Sequence, residues 1–261
     1  AENSSDQIVF LMNNAAGPEQ LIESLGENRV LTGFPGAAGY REGYKIVFMN
    51  GEPERPMGVL LGEPTGGVTE RVKRIAAEIG KGRFVQVEIE PNMDAWSKYH
   101  VALLFPSLAP AFYLCNHDRL RVARTRDAVV LAYRAMKEGF GVLKQLGYPL
   151  TPSSLKRFLW LPEPVMIAFL AKILRDPRME VAMEKHAEAA QDEIAQLIDE
   201  FMLLVDRSGL FTPNIQFMVS QFRLKAPALP DGSRTIRLHW EGVILPLLVL
   251  IFALLVLVFL L

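Results

Sequence analysis

The sequence predicts an α/β unit followed by an all-α unit and one final apolar helix. Three observations indicate this architecture. Short apolar runs separated by turn residues fill the chain up to residue 90, helical periodicity dominates after residue 95, and the last 20 residues carry no charge. We therefore expect an α/β unit over 1–94, a helical unit over 95–222, a linker over 223–241 and a last helix over 242–261.

Five strands and two helices are expected in the α/β unit. Apolar runs bounded by Gly, Pro and Asn are typical of strands. They are Ile8–Met12, Val30–Phe34, Tyr44–Met49, Met57–Leu61 and Phe84–Ile89. Pro18 to Leu25 is expected to form a short helix, and Thr69 is a suitable N-cap for a second helix that ends near Ile79.

Glycines of the α/β unit do not have the spacing of a dinucleotide fingerprint. Gly33, Gly36 and Gly39 are each three residues apart, whereas the phosphate-binding turn of such domains is G-x-G-x-x-G, and a Walker A sequence is also absent from the chain. We interpret these glycines as a structural turn, because glycines in loops mostly serve positive φ.

The second unit has clear helix boundaries. Thr125 and Gly147 bracket a helix that ends at Leu146, Thr151-Pro152 begins another, and Pro162-Glu-Pro164 precedes a helix over Val165–Leu174. The longest helix is expected from Pro177 to Ser208, ended by Gly209. A last amphipathic helix follows Thr212-Pro213 and ends near Phe222.

Both ends of the chain suggest a larger context. The first apolar run begins at Ile8 without a signal peptide before it, so we expect a piece of a longer protein. Residues 242–261 are long enough to cross a bilayer, and Arg234 and Arg237 precede them. This predicts a C-terminal transmembrane helix with the main unit in the cytoplasm. An apolar core element, or a lipid-anchor signal at Asp231-Gly-Ser233, is the alternative.

Composition excludes several classes of function. The 28 basic and 29 acidic residues are evenly mixed, which gives no electrostatic case for nucleic acid. The single cysteine, Cys115, cannot form a disulfide within the chain. The four histidines are scattered, with no H-E-x-x-H, so a metal site is not expected.

Lys98 is the first candidate for chemistry. It lies in Met93-Asp-Ala-Trp-Ser-Lys-Tyr-His100, at the junction of the two units, where clefts form. Apolar neighbours indicate a buried helix, and a buried lysine can donate a proton near neutrality. The alternative is an interface lysine whose stem packs while its ammonium group reaches water.

Glu193 is the second candidate. On the predicted long helix it lies on or beside the apolar stripe, whereas most other charged residues lie on the remaining faces. A carboxylate turned toward the core needs a partner or a ligand. The alternative is a boundary residue that reaches solvent or pairs with a neighbouring Arg or Lys.

These segments together resemble the ketopantoate reductase (2-dehydropantoate 2-reductase) family. The resemblance covers roughly residues 6 to 222. Its motifs are Met12-Asn-Asn-Ala-Ala-Gly17, Arg29-Val-Leu-Thr-Gly33, Leu61-Gly-Glu-Pro64, Ala95-Trp-Ser-Lys98, and Asp192-Glu193-Ile194 at a fixed distance before Gly209.

The resemblance implies reduction of a 2-oxo acid to a 2-hydroxy acid with NADPH. It implies the C-terminal part of a Rossmann-type domain, followed by a helical domain like that of 6-phosphogluconate dehydrogenase, which can also form a homodimer. Lys98 would be the general acid and Glu193 would bind the substrate hydroxyl. Asn14 would lie near both the nicotinamide and the substrate.

The chain also departs from that family. Its G-x-G-x-x-G is missing, and three positions expected to be polar (two Asn and a Ser) are Ala102, Pro106 and Val181. Two hypotheses follow: a reductase that is inactive as this chain alone, or a non-catalytic, membrane-anchored binding or assembly module. A transporter component is disfavoured, because the predicted span carries no charge.

Overall fold

A four-stranded mixed sheet is the centre of the first unit. The computed structural model describes residues 4–240 and 242, except for residues 50, 186, 187 and 189. The described strands are β1 (Ile8–Leu11), β2 (Val30–Pro35), β3 (Gly39–Glu42), β4 (Lys45–Phe48), β5 (Met57–Gly62) and β6 (Val85–Ile89). The sheet has the order β1-β2-β5-β6, in which only the β2–β5 pair is antiparallel.

Strands β3 and β4 form a separate hairpin. Only β4 was predicted, because β3 is short, polar and not fully buried. Gly33 and Gly36 do not form the expected turn but lie in or beside β2. A Cβ at Gly36 would be 2.5 Å from the carbonyl oxygen of Gly58. These two glycines therefore allow close approach of β2 and β5.

Two helices complete the α/β unit, α1 (Glu19–Leu25) and α2 (Glu70–Ile79). The Thr69 side chain caps α2 by accepting a hydrogen bond from the Val72 amide at 3.2 Å. Arg71, in the first turn, donates through Nε to both carboxylate oxygens of the buried Glu63 and through Nη2 to the carbonyl of Val30. This ion pair fixes α2 against the ends of β2 and β5.

The second unit is a bundle around one long central helix, α6. The described helices are α3 (Met93–Leu103), α4 (Ala109–Tyr113), α5 (Arg119–Arg124), α6 (Arg126–Gln145), α7 (Leu155–Trp160), α8 (Glu163–Leu174), α9 (Gln191–Ser208) and α10 (Pro213–Arg223). Large buried side chains from three of them, including Tyr99, Tyr133 and Phe201, pack in one core. Because α3 carries both junction residues and core residues, the bundle holds the junction in place.

The structure corrects the long helix predicted from Pro177 to Ser208. Glu180–Glu184 is a π-helical turn, and α9 begins only after Ala190, whose φ of −108° and ψ of 36° are not helical. Glu184 accepts a hydrogen bond from the backbone amide of Arg119 at 3.2 Å. Such tertiary contacts fix this segment separately from α9 and override its helix propensity.

Residues 224–240, expected to be a linker, lie along α5, α6 and α8; we call them the strap. Arg121 donates to the carbonyl of Leu229 at 2.7 Å, and Arg134 donates to that of Arg237 at 2.7 Å. Asp127, buried near the start of α6, accepts hydrogen bonds from the Thr235 amide and hydroxyl, both at 2.8 Å. The strap is therefore part of the packed helical unit.

The structure overturns the prediction of a membrane location. Among the described residues, no helix combines the length and the hydropathy needed to cross a bilayer. Residues 243–261, on which that prediction rested, lie outside the described part of the chain.

Acid is expected to destabilise the fold. Burial raises the pKa of Glu63, Asp127 and Glu163, but hydrogen bonds from Arg71, Thr235 and Arg134, respectively, outweigh it, so all three pKa values are lowered. The folded state thus binds fewer protons than the unfolded state below about pH 4.3, and stability falls as the pH falls through the lowered values. Urea unfolding at neutral pH and at about pH 3 measures this. Equal urea midpoints and equal denaturant slopes at the two pH values would contradict the expected loss of stability in acid.

Candidate functional site

Lys98 is buried at the junction of the two units. Three residues separate the end of β6 from the start of helix α3, so the first turns of α3 lie beside the sheet. The side chain of Lys98 is 2% exposed, and its ammonium group forms an ion pair with Asp94, one helical turn earlier. Its Nζ is also 4.9 Å from the ring centroid of Tyr148. The alternative of an ammonium group that reaches water is thus excluded for this conformation.

Both partners of Lys98 line a cavity of about 400 Å³. Asp94 and Tyr148 are joined there by Glu19, Asn92 and the Thr65-Gly66 turn. Burial and the nearby carboxylate of Asp94 raise the pKa of Tyr148 despite the positive charge of Arg207 nearby. Tyr148 is therefore a neutral phenol at neutral pH, and it limits how far Asp94 and Lys98 can move.

Asn14 holds the shape of the loop after β1. Its Nδ2 donates to the carbonyl of Gly17 and its Oδ1 accepts from the Gly17 amide, both at 2.9 Å. Asn14 also lines a cavity of about 10 Å³ with Asp94, Ser97 and Thr32. This volume is close to that of one water-sized group. The hydroxyl of Thr32 is buried there with no hydrogen-bond partner among the described residues.

Glu193 accepts a hydrogen bond from Asn13, the residue before Asn14. Nδ2 of Asn13 donates to Oε1 of Glu193 at 2.9 Å, which connects the loop after β1 with the first turn of α9. The sequence reasoning missed Asn13, although it immediately precedes Asn14. Asn14 thus lines the same small cavity as Asp94, which is the ion-pair partner of Lys98. Glu193 is not part of that lining and is hydrogen-bonded to Asn13 instead.

Glu200 is a second carboxylate on α9 that sequence reasoning missed. Its Oε2 accepts hydrogen bonds from the amides of Ala15 and Ala16, both at 3.2 Å. The interval of seven residues after Glu193, which places both carboxylates on one face of a helix, was the available signal. Glu193 and Glu200 together hold the loop of residues 13–16 against the helical unit.

Replacing Glu200 with alanine is expected to release this loop. Two backbone amides lose their acceptor, and this loss lowers the free energy of unfolding by about 1–3 kcal/mol. Hydrogen exchange of the Ala15 and Ala16 amides is expected to accelerate about tenfold or more. Glu200→Gln is the matched control, since it keeps an acceptor oxygen and should retain most of the protection. Unchanged exchange in Glu200→Ala would contradict the assigned role.

A larger cavity of about 520 Å³, which we call the cleft, lies beside Glu193. Its lining includes Met12, Asn13, Phe34, His100 and Glu193, but not Lys98 or Asn14. Burial lowers the pKa of His100 to about 4, so its imidazole is neutral at neutral pH. The ring is stacked on Trp96, with 4.9 Å between the centroids.

The described residues do not fit the pyrophosphate of a dinucleotide. A pyrophosphate site needs a glycine-rich turn after a strand and a free helix N-terminus. Here β1 is followed by Met12-Asn-Asn-Ala-Ala-Gly17, and the first residue of α1 is Glu19, whose carboxylate repels phosphate. The side-chain amide of Asn14 is already hydrogen-bonded to the backbone of Gly17.

At three positions this chain has an apolar residue where the ketopantoate reductase pattern has a polar one, and two of these positions are buried. Ala102 is fully buried and faces Gly139. A Cβ added to Gly139 would lie 3.1 Å from the Cβ of Ala102. Pro106 lies in a π-helical turn, Leu104–Leu108, where the Ser107 hydroxyl donates to the carbonyl of Leu103 at 2.6 Å. Val181 is half-buried in the turn Glu180–Glu184. These side chains offer no hydrogen bonds to a substrate.

Comparison with solved structures identifies the fold. No family model and no curated protein matches the chain. D-mandelate dehydrogenase in complex with NADH matches with a TM-score of 0.63 and 14% identity, covering 84% of this chain and 69% of that one. The 2-dehydropantoate 2-reductases of Geobacter metallireducens GS-15 (TM-score 0.61, 15% identity, 84% and 68% coverage) and Methylococcus capsulatus (0.60, 19%, 85% and 71%) also match.

The fold is therefore the one that D-mandelate dehydrogenase shares with these reductases, a sheet unit joined to a helical unit. More particularly, it is the fold of the ketopantoate reductases, which confirms the predicted combination of a Rossmann-like sheet unit and a helical unit. At identities of 14–19% the likeness concerns the fold alone.

Proposed function

We propose that this chain carries the substrate-side half of a 2-oxo acid reductase site, with Lys98 as the general acid. The observation that carries the proposal is the burial of the Lys98 ammonium group at the junction, held by Asp94 and facing Tyr148. A buried ammonium group placed beside a cavity by a carboxylate and an aromatic ring is an arrangement suited to proton donation.

Reduction of a 2-oxo acid needs a hydride, which a nicotinamide cofactor supplies, and a proton. By resemblance the proposed cofactor is NADPH. Lys98 holds the proton on Nζ and delivers it to the carbonyl oxygen as negative charge develops there. Asp94 orients the ammonium group through the ion pair, and the ring of Tyr148 faces it.

Glu193 and Asn14 complete the proposed site. Glu193, held by Asn13, accepts a hydrogen bond from a hydroxyl group of the substrate. Asn14 keeps the loop between β1 and α1 in the conformation that lines the small cavity beside Asp94 and Ser97. Both roles require the loop of residues 13–16 to stay packed against α9. The hydrogen bonds from the Ala15 and Ala16 amides to Glu200 hold the loop there.

Because no pyrophosphate site is formed by the described residues, we expect this chain alone neither to bind NADPH nor to turn over a 2-oxo acid. Calorimetry with NADPH and an absorbance assay of NADPH oxidation test this with the chain alone and with the protein expressed from its complete natural gene. NADPH binding and turnover by the natural gene product support the reductase. Absence of both from the natural gene product contradicts it.

The second candidate is a non-catalytic binding or assembly module. The apolar side chains of Ala102 and Pro106, at positions where polar groups are expected, favour it. A homodimer through the helical unit is compatible with either function, and one solved neighbour is described as a dimeric ketopantoate reductase from Staphylococcus aureus. The module would bind partners without NADPH oxidation.

A further inference from the structure

The small cavity of about 10 Å³ lies between β2 and α3. Thr32 of β2 lines it from the sheet, and Asp94 and Ser97, one helical turn apart in α3, line it from the helix. Most of the remaining lining is apolar, with Phe10 and Met12 as its largest side chains. A polar group inside the cavity therefore depends mainly on Thr32, Asp94 and Ser97 for its hydrogen bonds.

The hydroxyl of Thr32 is the first indication that this cavity holds a ligand. It is buried and has no hydrogen-bond partner in the part of the chain that the structure describes. A buried hydroxyl without a partner destabilises a fold, and native proteins contain few of them. Valine has the same shape as threonine and would avoid that cost. Threonine at this position of β2 therefore indicates a hydrogen-bonding group in the cavity.

Asp94 can accept a further hydrogen bond from such a group. Its Oδ1 accepts from Nζ of Lys98, and this is its one hydrogen bond among the described residues. An ionised carboxylate has about four lone-pair sites on its two oxygens, so Oδ2 is available to a donor in the cavity. Ser97 is 7% exposed, and its hydroxyl can donate or accept.

One water molecule fits both the volume and the chemistry of the cavity. About 10 Å³ is close to the space that a single water-sized sphere needs. A buried water typically forms about three hydrogen bonds to groups that would otherwise be unpaired. The two hydroxyls and the carboxylate supply that number. A larger ligand does not fit, and a cation would have to share the carboxylate of Asp94 with Lys98.

We propose that the cavity binds one ordered water that joins Thr32 and Ser97 to Asp94, and that Thr32 is thereby a positioning residue for Lys98. The water accepts a hydrogen bond from the Thr32 hydroxyl and donates one to Oδ2 of Asp94. Because Oδ1 of the same carboxylate holds the Lys98 ammonium group, fixing Oδ2 also fixes the direction of that group. The positioning role rests on the proposed function, whereas the water site does not.

Thr32→Val tests the water site without an assay of activity. If the water is bound, the variant loses a hydrogen bond, and the equilibrium constant for unfolding in urea should rise about fivefold. If the hydroxyl is unpaired, the same change removes an unsatisfied group and the constant should fall. Thr212 is the matched control, since its hydroxyl is also buried without a partner among the described residues and lines none of the cavities described above. Thr212→Val should not raise the constant. A constant that does not rise in Thr32→Val, or that rises equally in Thr212→Val, overturns the water site.

Electron density from crystals of this chain gives the direct test. We expect a water within about 3.2 Å of both Oγ1 of Thr32 and Oδ2 of Asp94, and we expect Thr32→Val to lack it. High-resolution density of the unchanged protein without such a water would overturn the site.

The positioning role has a separate readout in the natural gene product. Thr32→Val should lower kcat for 2-oxo acid reduction about tenfold, because a small misplacement of a catalytic group costs up to about 10²-fold, whereas KM should change by about twofold at most. Thr32→Ser retains the hydroxyl and should restore kcat. Unchanged kcat in a variant that lacks the water contradicts the positioning role. If the unchanged gene product does not oxidise NADPH, the reductase and the positioning role both fail, while unfolding and electron density still decide the water site.

Discussion

Replacing Lys98 with methionine is expected to lower the rate of 2-oxo acid reduction about 10²–10⁴-fold in the protein expressed from the complete natural gene. This is the usual contribution of a positioned general acid. Methionine keeps an unbranched stem in the buried site but cannot donate a proton. The ratio of kcat values for variant and unchanged protein measures the loss, while the KM for the 2-oxo acid should change less than threefold.

Two controls separate chemistry from folding. Lys98→Arg keeps the positive charge beside Asp94, but the guanidinium group is a much weaker acid, so its activity should also fall. Lys144→Met removes a lysine from the exposed end of α6 and should leave kcat unchanged. Retention of kcat within threefold in Lys98→Met would exclude Lys98 as the proton donor.

Replacing Asp127 with alanine is expected to lower the free energy of unfolding by about 3 kcal/mol. Asp127 is 3% exposed, and it accepts hydrogen bonds from the Thr235 amide and hydroxyl at 2.8 Å and from the Ile236 amide at 3.0 Å. Hydrogen bonds to a charged acceptor are worth about 1.5–3 kcal/mol each, and removal of this carboxylate leaves the strap donors unpaired. A decrease in Tm of roughly 6–12 °C follows for a chain of this size.

Thermal and urea unfolding of Asp127→Ala, Asp127→Asn and Asp118→Ala test the prediction. Asparagine retains one acceptor oxygen and should lose about half as much stability. Asp118 caps α5 through the amides of Leu120 and Arg121, so its loss should cost only about 1 kcal/mol. If Asp127→Ala and Asp118→Ala had equal effects, the strap would not be an important source of stability.

Much of the sheet unit was predictable because its strands are apolar runs between turn residues. Each of the five predicted strands overlaps an observed one, as Val30–Phe34 does with β2. Strand β3 was missed because Gly39–Glu42 lacks the apolar alternation that a half-buried strand shows. The interruption before α9 was missed because the segment before it has helical periodicity, and contacts such as that between Glu184 and Arg119, 65 residues apart, cannot be read from periodicity.

The candidate site was predictable only in part. The pairing of Lys98 with Asp94 follows from the i, i+4 spacing on a helix, and that spacing is visible in the sequence. The approach of Tyr148 to Lys98, and of Asn13 to Glu193, depends on how the sheet and the bundle pack. Local periodicity carries no information about these distant pairs. The proposed roles of Lys98, Glu193 and Asn14 stay predictions.

The strap also has a consequence for the order in which the chain is completed during translation. Most of its hydrogen bonds to the helical unit join residues more than about 100 positions apart, as between Arg134 and Arg237 or Asp127 and Ile236. Helices α5, α6 and α8 are therefore synthesised long before their partners leave the ribosome, and loop closure over that distance is slow. Until then Asp127 and Glu163 lack the donors that the strap supplies, so we expect the helical unit to reach its full stability only after the strap has been synthesised.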